Sequence, residues 1–224
     1  MEILKQAKKK KAKTLSEYDS KRVLAEYGIP VTKERLVKSQ KEAVAAAEEI
    51  GYPVVLKAAG AELTHKTELD VVKLGLADAK SVRLAMREIK EAAKGQKLQG
   101  ILVQEMVKGQ RELVAGLIRD KQFGPCVMFG LGGIYTEVLK DVAFRVAPLT
   151  EQDALDMMEE IKGRKILESF RGMEEADKDA LARVLVSMGR IGMENDEVAE
   201  IDVNPLILKK DGSAVAVDAL VVLR

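Results

Sequence analysis

Lys57-Ala-Ala-Gly-Ala-Glu-Leu-Thr-His65-Lys-Thr-Glu-Leu-Asp-Val-Val-Lys73-Leu-Gly75 carries the only histidine of the chain, in a polar loop between two apolar, β-branched runs, Pro53 to Leu56 and Val71 to Leu76. Short apolar runs bounded by polar residues read as strands. The stretch therefore predicts strand, long loop, strand, with Lys57 at the end of the first strand, where ligands collect. Lys57 is then either a snorkelling edge residue or a phosphate ligand. His65 has two readings as well. It is an ordinary surface histidine in a charged loop or, flanked by Lys57, Lys66 and Lys73, a nucleophilic imidazole that carries a phosphoryl group.

Outward from this stretch the pattern is regular. Val31 to Val37 reads as a strand, and Ser39-Gln-Lys-Glu42 is a capping box that opens an alanine-rich helix ending at Gly51. Asp78 to Lys94 has mostly helical spacing and closes at Gly95, and Gly100 to Val107 is a further strand. The order β-α-β-loop-β-α-β predicts a helix-backed sheet. Upstream, residues 5 to 13 form a basic run, either a phosphate-seeking arm or the exposed start of a helix. A short amphipathic helix follows, with Ser16 as its N-cap and its end at Gly28 and Pro30.

Downstream, residues 111 to 119 and 123 to 133 predict strands, the second running into Gly130-Leu-Gly132-Gly133. Tyr135 to Leu149 predicts two extended pieces around Lys140-Asp141, and Thr150 opens a helix that Gly163 and Arg164 break. Glu174 to Gly192 is the longest helical pattern. The end of the chain predicts strands at Val198 to Val203 and Leu206 to Lys209, a turn at Lys210-Asp211-Gly212, and a strand from Ala214 to Leu223.

With 224 residues and 47% hydrophobic content, the chain can bury a sizeable core. Its 37 Lys and Arg nearly cancel its 36 Asp and Glu, which argues against a nucleic-acid or general membrane binder. No apolar run is long enough to span a bilayer, and the N-terminus lacks a signal-peptide core, so the expected location is the cytoplasm. A single cysteine, Cys126, in an apolar run, fits a buried structural thiol in the same compartment. High charge, only Asn195 and Asn204 as asparagines, and no tryptophan lean toward a thermophilic source.

The most specific chemical signal is the last hairpin. In Glu200-Ile-Asp202-Val-Asn204-Pro-Leu206 and Val217-Asp218, oxygen ligands sit on both arms of a turn near Asp211 and Gly212. Asn204 and Asp218 lie at similar distances from that turn and can meet across adjacent strands. That outlines a magnesium site completed by water and phosphate oxygens. The alternative is that Asp202 and Asn204 cap a strand end, Pro205 makes a turn and Asp218 is solvated. Gly132 and Gly133 can let backbone amides approach phosphates or simply form a tight turn, since neither a Walker loop nor a full Rossmann fingerprint is present. Arg145 can clamp a phosphate or pair with a surface acid.

Taken in order, Val54-Val-Leu-Lys57-Ala, His65-Lys-Thr, Val71-Val-Lys73-Leu, Val103-Gln-Glu105-Met106-Val107, Arg111-Glu112-Leu-Val-Ala-Gly116, Phe123-Gly-Pro125, Gly130-Leu-Gly132-Gly133, Glu137-Val-Leu-Lys-Asp141 and Ile201-Asp-Val-Asn204-Pro-Leu resemble the ATP-grasp β subunits of ADP-forming acyl-CoA synthetases. In particular the chain resembles the separate β subunit of the archaeal ADP-forming acetyl-CoA synthetases, to which the succinyl-CoA synthetase β subunits are related. The resemblance runs from about Leu15 to the C-terminus. It implies an α+β ATP-grasp fold, two helix-backed sheet lobes with nucleotide bound between them. Residues 1–14 would form a basic N-terminal arm and 15–224 the ATP-grasp domain. The first lobe would cover about 28–108 and the second about 109–224, with the N-terminal helix packed on the second.

By the same resemblance, Lys57 would contact the nucleotide phosphates, and Glu105, Met106 and Val107 would hold adenine through backbone groups. Glu112 would sit near ribose or phosphates, with Gly132 and Gly133 in the nucleotide site. Arg145 would neutralise phosphate charge, Asn204 and Asp218 would hold Mg2+, and His65 would be the phosphoryl carrier for ATP/ADP. A CoA-binding α subunit would do the acyl and CoA chemistry in a hetero-oligomer of α2β2 type. No CoA-binding Rossmann pattern and no second histidine occur in this chain, which fits that division. Two other functions suit the fold: a carboxylate–amine ligase without phosphohistidine, and a non-catalytic nucleotide-sensing subunit.

Overall fold

The computed structural model describes residues 1–60, 70–133, 141–169 and 171–224. The chain divides into two compact units, one of Thr14–Tyr18 with Thr32–Met106, the other of Met1–Lys13, Asp19–Val31 and Val107–Arg224.

In the first unit, β1 (Glu34–Val37), α3 (Gln40–Ile50), β2 (Val54–Ala59), β3 (Val72–Leu76), α4 (Ala79–Ala92) and β4 (Gly100–Glu105) follow the expected order. The strands form an antiparallel sheet in the order β1-β4-β2-β3. Both helices begin at reciprocal caps: Ser39 with Glu42, and Asp78 with Ser81. Alternate residues of a strand face opposite sides of the sheet. Val54, Leu56, Ala58, Ile101 and Val103 accordingly face Val44, Ala47, Val82, Met86 and Ile89 of the two helices in one apolar core. The other face carries Val55, Lys57, Leu102 and Gln104, all buried.

In the second unit α1 (Glu2–Lys9) and most of α2 (Glu17–Glu26) precede β5 (Arg111–Asp120), β6 (Gly124–Leu131) and β7 (Val142–Val146). Then come α5 (Glu151–Glu160), a 3-10 turn (Arg164–Leu167), α6 (Lys178–Glu194), β8 (Val198–Leu208), β9 (Ala214–Ala216) and β10 (Ala219–Leu223). Among the described residues these strands form one antiparallel sheet, β10-β8-β5-β6-β7, with β9 paired to β8. Helix α6 covers the face of Leu117 and Val127: a Cβ on Gly192 would meet Leu117, and one on Gly189 would meet Val127. Tyr27 accepts from the Asn195 amide and donates to Glu194, each at 2.9 Å, and so ties the end of α2 to the end of α6.

The structure departs from the expected pattern in three places. The first fourteen residues, expected as a basic arm or an exposed helix start, form a helix that buries Leu4 and Ala7, and the Lys13 carbonyl accepts from the Leu223 amide at the edge of the sheet. An apolar i, i+3 pair gives this lysine-rich stretch a face to bury. Pro205 does not end a strand: β8 runs through it from Val198 to Leu208. The last strand is in turn split, β9 and β10 being separated at Val217 and Asp218. The first extended piece expected after Gly133 falls on residues 134–140, outside the described residues.

Candidate nucleotide and metal site

Asn204 and Asp218 are placed by register. Ala219 pairs with Val203 on one side and Ala216 with Leu206 on the other, and the offset is the same. Asp218 is thus directly opposite Asn204, with the turn centred at Asp211. Asp202 lies two residues before Asn204 on the same face. Burial pushes the Asp202 carboxyl above the ordinary range, and the charges of Glu200 and Asp218 push it the same way. Such a cluster favours a divalent cation, and an amide and a carboxylate in this position fit magnesium, which takes few protein ligands and keeps water and phosphate oxygens. Among the described residues no group of three or more His, Cys, Asp and Glu side chains is arranged to hold a metal alone. Lys21, fully buried, donates from Nζ to the Val217 carbonyl at 3.2 Å and so fixes the segment that carries Asp218.

Glu112 and the glycine loop are brought together. The Gly132 amide donates to the Glu112 carbonyl at 2.8 Å. A Cβ on Gly132 would lie 2.7 Å from the Leu113 carbonyl oxygen, so only glycine fits that close crossing. Gly133 has φ +60, and a Cβ there would lie 2.6 Å from Glu112 Oε2. Asp141 is buried and accepts from the amides of Lys162 (2.8 Å) and Gly163 (2.7 Å), holding the break after α5 in place.

Lys57 is not at a strand end. β2 continues to Ala59, so Lys57 sits within the strand, on the face turned away from α3 and α4. Its Nζ lies 2.7 Å from Glu17 Oε1, with the two side chains only 8% and 1% exposed. A buried ammonium needs a counter-charge. Glu17, forty positions away, supplies it, and no periodicity in the sequence links the two. Glu105 and Met106 spend their amides inside the unit, on the carbonyls of Lys33 and Pro53, and the Glu105 carboxylate accepts from the Lys33 amide at 2.7 Å. Among the described residues the Val107 amide makes no backbone–backbone hydrogen bond.

Arg145 requires a correction. It pairs with Val127, Val127 with Leu117, and Leu117 with Ile201, so Arg145 shares the helix-covered face. Asp202 pairs with Gly116, Gly116 with Met128, and Met128 with Phe144, on the opposite face. The Arg145 guanidinium forms a two-pronged bond with Glu160 at the end of α5, Nη1 lying 3.0 Å from Oε2 and Nη2 bonding Oε1. This raises the Arg145 pKa and holds the Glu160 carboxyl below its ordinary range. Arg145 therefore ties β7 to α5 and does not join Asn204 and Asp218.

Arg111, to which the motif containing it assigns no role, is a structural hub. It is buried, and its guanidinium donates to the carbonyls of Ile166, Glu168, Glu174 and Lys209. A lone arginine opening an apolar strand was the only available signal. Cys126 is buried, and desolvation raises its thiol pKa, which fits an inert structural role. His65 lies outside the described residues. Among the described residues no helix is long and apolar enough to cross a membrane.

A family model described as an ATP-grasp domain matches residues 6–223, and the chain belongs to that family. Acetate–CoA ligase [ADP-forming] I subunit beta of Pyrococcus furiosus is 43% identical over 99% of this chain and 97% of its own length. Acetate–CoA ligase [ADP-forming] I of Archaeoglobus fulgidus is 42% identical over 86% of this chain, which matches only 29% of that longer protein. The solved acetyl-coenzyme A synthetase 1 of Ca. Korarchaeum cryptofilum, in complex with coenzyme A, Ca-AMPCP and HgCl+, is 48% identical. It matches over 100% of this chain and 99% of that one, with a TM-score of 0.95. In another structure of that protein, with coenzyme A and Mg-AMPPCP, a phosphohistidine segment points towards the nucleotide-binding site (46% identity, 100% and 99% covered, TM-score 0.89). Within the ATP-grasp family the chain is a member of the β subunits of ADP-forming acetate–CoA ligases.

Proposed function

We propose that this chain is the nucleotide-binding subunit of an ADP-forming acyl-CoA synthetase acting on a small carboxylic acid such as acetate. It passes a phosphoryl group between ATP/ADP and His65. A CoA-binding α subunit in a cytoplasmic α2β2 assembly forms the acyl phosphate and the thioester. The observation that carries this reading is the Asn204–Asp218 pair beside Asp202, in a chain that matches an ADP-forming β subunit from end to end.

Each residue has a defined task. Asn204 and Asp218 offer one amide and one carboxylate oxygen to Mg2+, which when bound would neutralise phosphate charge. Lys57 offers a fixed ammonium to the phosphates, Val107 an amide to adenine, and Gly132 and Gly133 a close backbone approach beside Glu112. An imidazole nitrogen of His65 attacks the γ-phosphorus, and ADP leaves as the N–P bond forms; in the other direction the oxygen of ADP attacks phosphohistidine and frees the imidazole. Such transfers depend mainly on positioning and charge neutralisation. Two measurements test the assignment together: magnesium-dependent ADP binding by calorimetry, and co-purification of the native chain with a CoA-binding subunit. Failure of both would overturn it.

A further inference from the structure

Among the described residues two carboxylates are buried, Glu17 and Asp141. Asp141 is spent on two backbone amides, whereas Glu17 is spent on an ammonium, that of Lys57. We propose that Glu17 is a positioning residue for nucleotide binding, holding the Lys57 ammonium in the place where it meets a phosphate. This rests on the reading of Lys57 as a phosphate ligand.

The physical case starts from the lysine side chain, a compact charge on a flexible four-carbon stem. Left alone on a sheet face it would sample many rotamers, and a phosphate would have to order it. Here Lys57 rises from within β2, and Glu17 meets it at 2.7 Å in a nearly sealed environment. Glu17 is itself fixed at the start of α2, in the short segment Thr14–Tyr18 that packs with the first unit, where Leu15 and Ser16 are also buried. An ammonium has three donors, so a bond to Glu17 does not prevent one to a phosphate oxygen. A sheet face needing only stability would be filled as well by apolar side chains of equal volume, since a buried ion pair is at best a modest stabiliser. What the pair adds is a charge held at one point, and preorganised charge is what phosphate binding uses.

The test uses the full chain and four variants, Glu17→Gln, Glu17→Asp, Lys57→Gln and Glu17→Gln with Lys57→Gln, each checked by thermal melting. Calorimetry reads the affinity for magnesium–ADP and for adenosine, which lacks phosphate. Glu17→Gln and Lys57→Gln should each weaken ADP about ten-fold. The double variant should be no weaker than Lys57→Gln, Glu17→Asp should recover part of the loss, and adenosine should bind all four like the parent. If Lys57→Gln leaves ADP affinity unchanged, the phosphate-ligand reading falls and the proposal with it. If Lys57→Gln weakens ADP but Glu17→Gln does not, the proposal alone is overturned. It is also overturned if Glu17→Gln weakens adenosine equally, or weakens ADP further when Lys57 is already replaced. Should Glu17→Gln not fold, Glu17→Asp decides: weakened ADP with unchanged adenosine supports the proposal, and unchanged ADP contradicts it.

Discussion

Asp218 stands directly across the β8 ladder from Asn204, in a register that keeps one offset from Ala216–Leu206 to Ala219–Val203. Two oxygen donors, one within β8 and one in the break between β9 and β10, therefore stand opposite each other, two residues along β8 from Asp202. Replacing Asp218 by Ala should lower magnesium-dependent turnover of the assembled enzyme by on the order of 10²-fold. Adenosine binding should be unchanged. Titrating magnesium in the activity assay checks this, because loss of a metal ligand raises the metal concentration needed for half-maximal rate.

Lys21 reaches the same site indirectly, through the carbonyl of Val217. Lys21→Met keeps the buried stem but removes the donor, so the segment carrying Asp218 loses an anchor. Magnesium–ADP should bind roughly ten-fold more weakly, the usual size of an effect transmitted through a supporting bond. Calorimetry at two magnesium concentrations separates this from a general loss of folding.

Arg145 sits on the other side of the sheet, bonded to Glu160. Arg145→Met should leave nucleotide affinity and turnover at the parent level and cause a small loss of thermal stability. That loss should be pH-dependent. The Glu160 carboxyl is held below its ordinary range in the folded state, so the bond's contribution is present above the ordinary glutamate pKa and is lost as pH falls through the lowered one. Melting curves of both proteins should converge below about pH 4.

The helix caps give a second acid-sensitive set. Glu42, Asp78 and Asp153 each accept hydrogen bonds at a helix start, and each carboxyl is held below its ordinary range by those bonds. Depressed folded-state values mean stability that is full above the unfolded-state pKa and disappears as pH falls through the folded one. Thermal stability should be flat from about pH 7 to 5 and fall below about pH 4. Glu42→Gln should lower the plateau and shrink the acid-side drop.

Much of this was legible in the sequence, for identifiable reasons. Helices α3 and α5 announced themselves because Ser39–Glu42 and Thr150–Asp153 are local signals, decided within four residues. The Asn204–Asp218 meeting was legible because a hairpin's register follows from the position of its turn. Arg145 was not. The face of a strand residue depends on parity against its neighbours, and the register of the short β7 on β6 is not written in its own five residues. The Lys57–Glu17 and Arg111 contacts were invisible for a different reason, since they join residues 40 to 98 positions apart with no repeating pattern. Pro205 misled because proline usually stops a strand, yet its missing N–H is tolerated where β8 is irregularly paired with β5 between Leu113 and Ala115.

The central claim, that this chain carries the phosphoryl group on histidine, can be tested with unusual economy because His65 is its only histidine. The chain, assembled with its CoA-binding partner, is incubated with γ-labelled ATP and magnesium, separated from the partner under denaturing conditions, and assayed for acid-labile, base-stable label. Label of that kind on this chain, absent together with acyl-CoA synthesis from His65→Ala, is the predicted result. An unchanged label and unchanged synthesis in His65→Ala would contradict it.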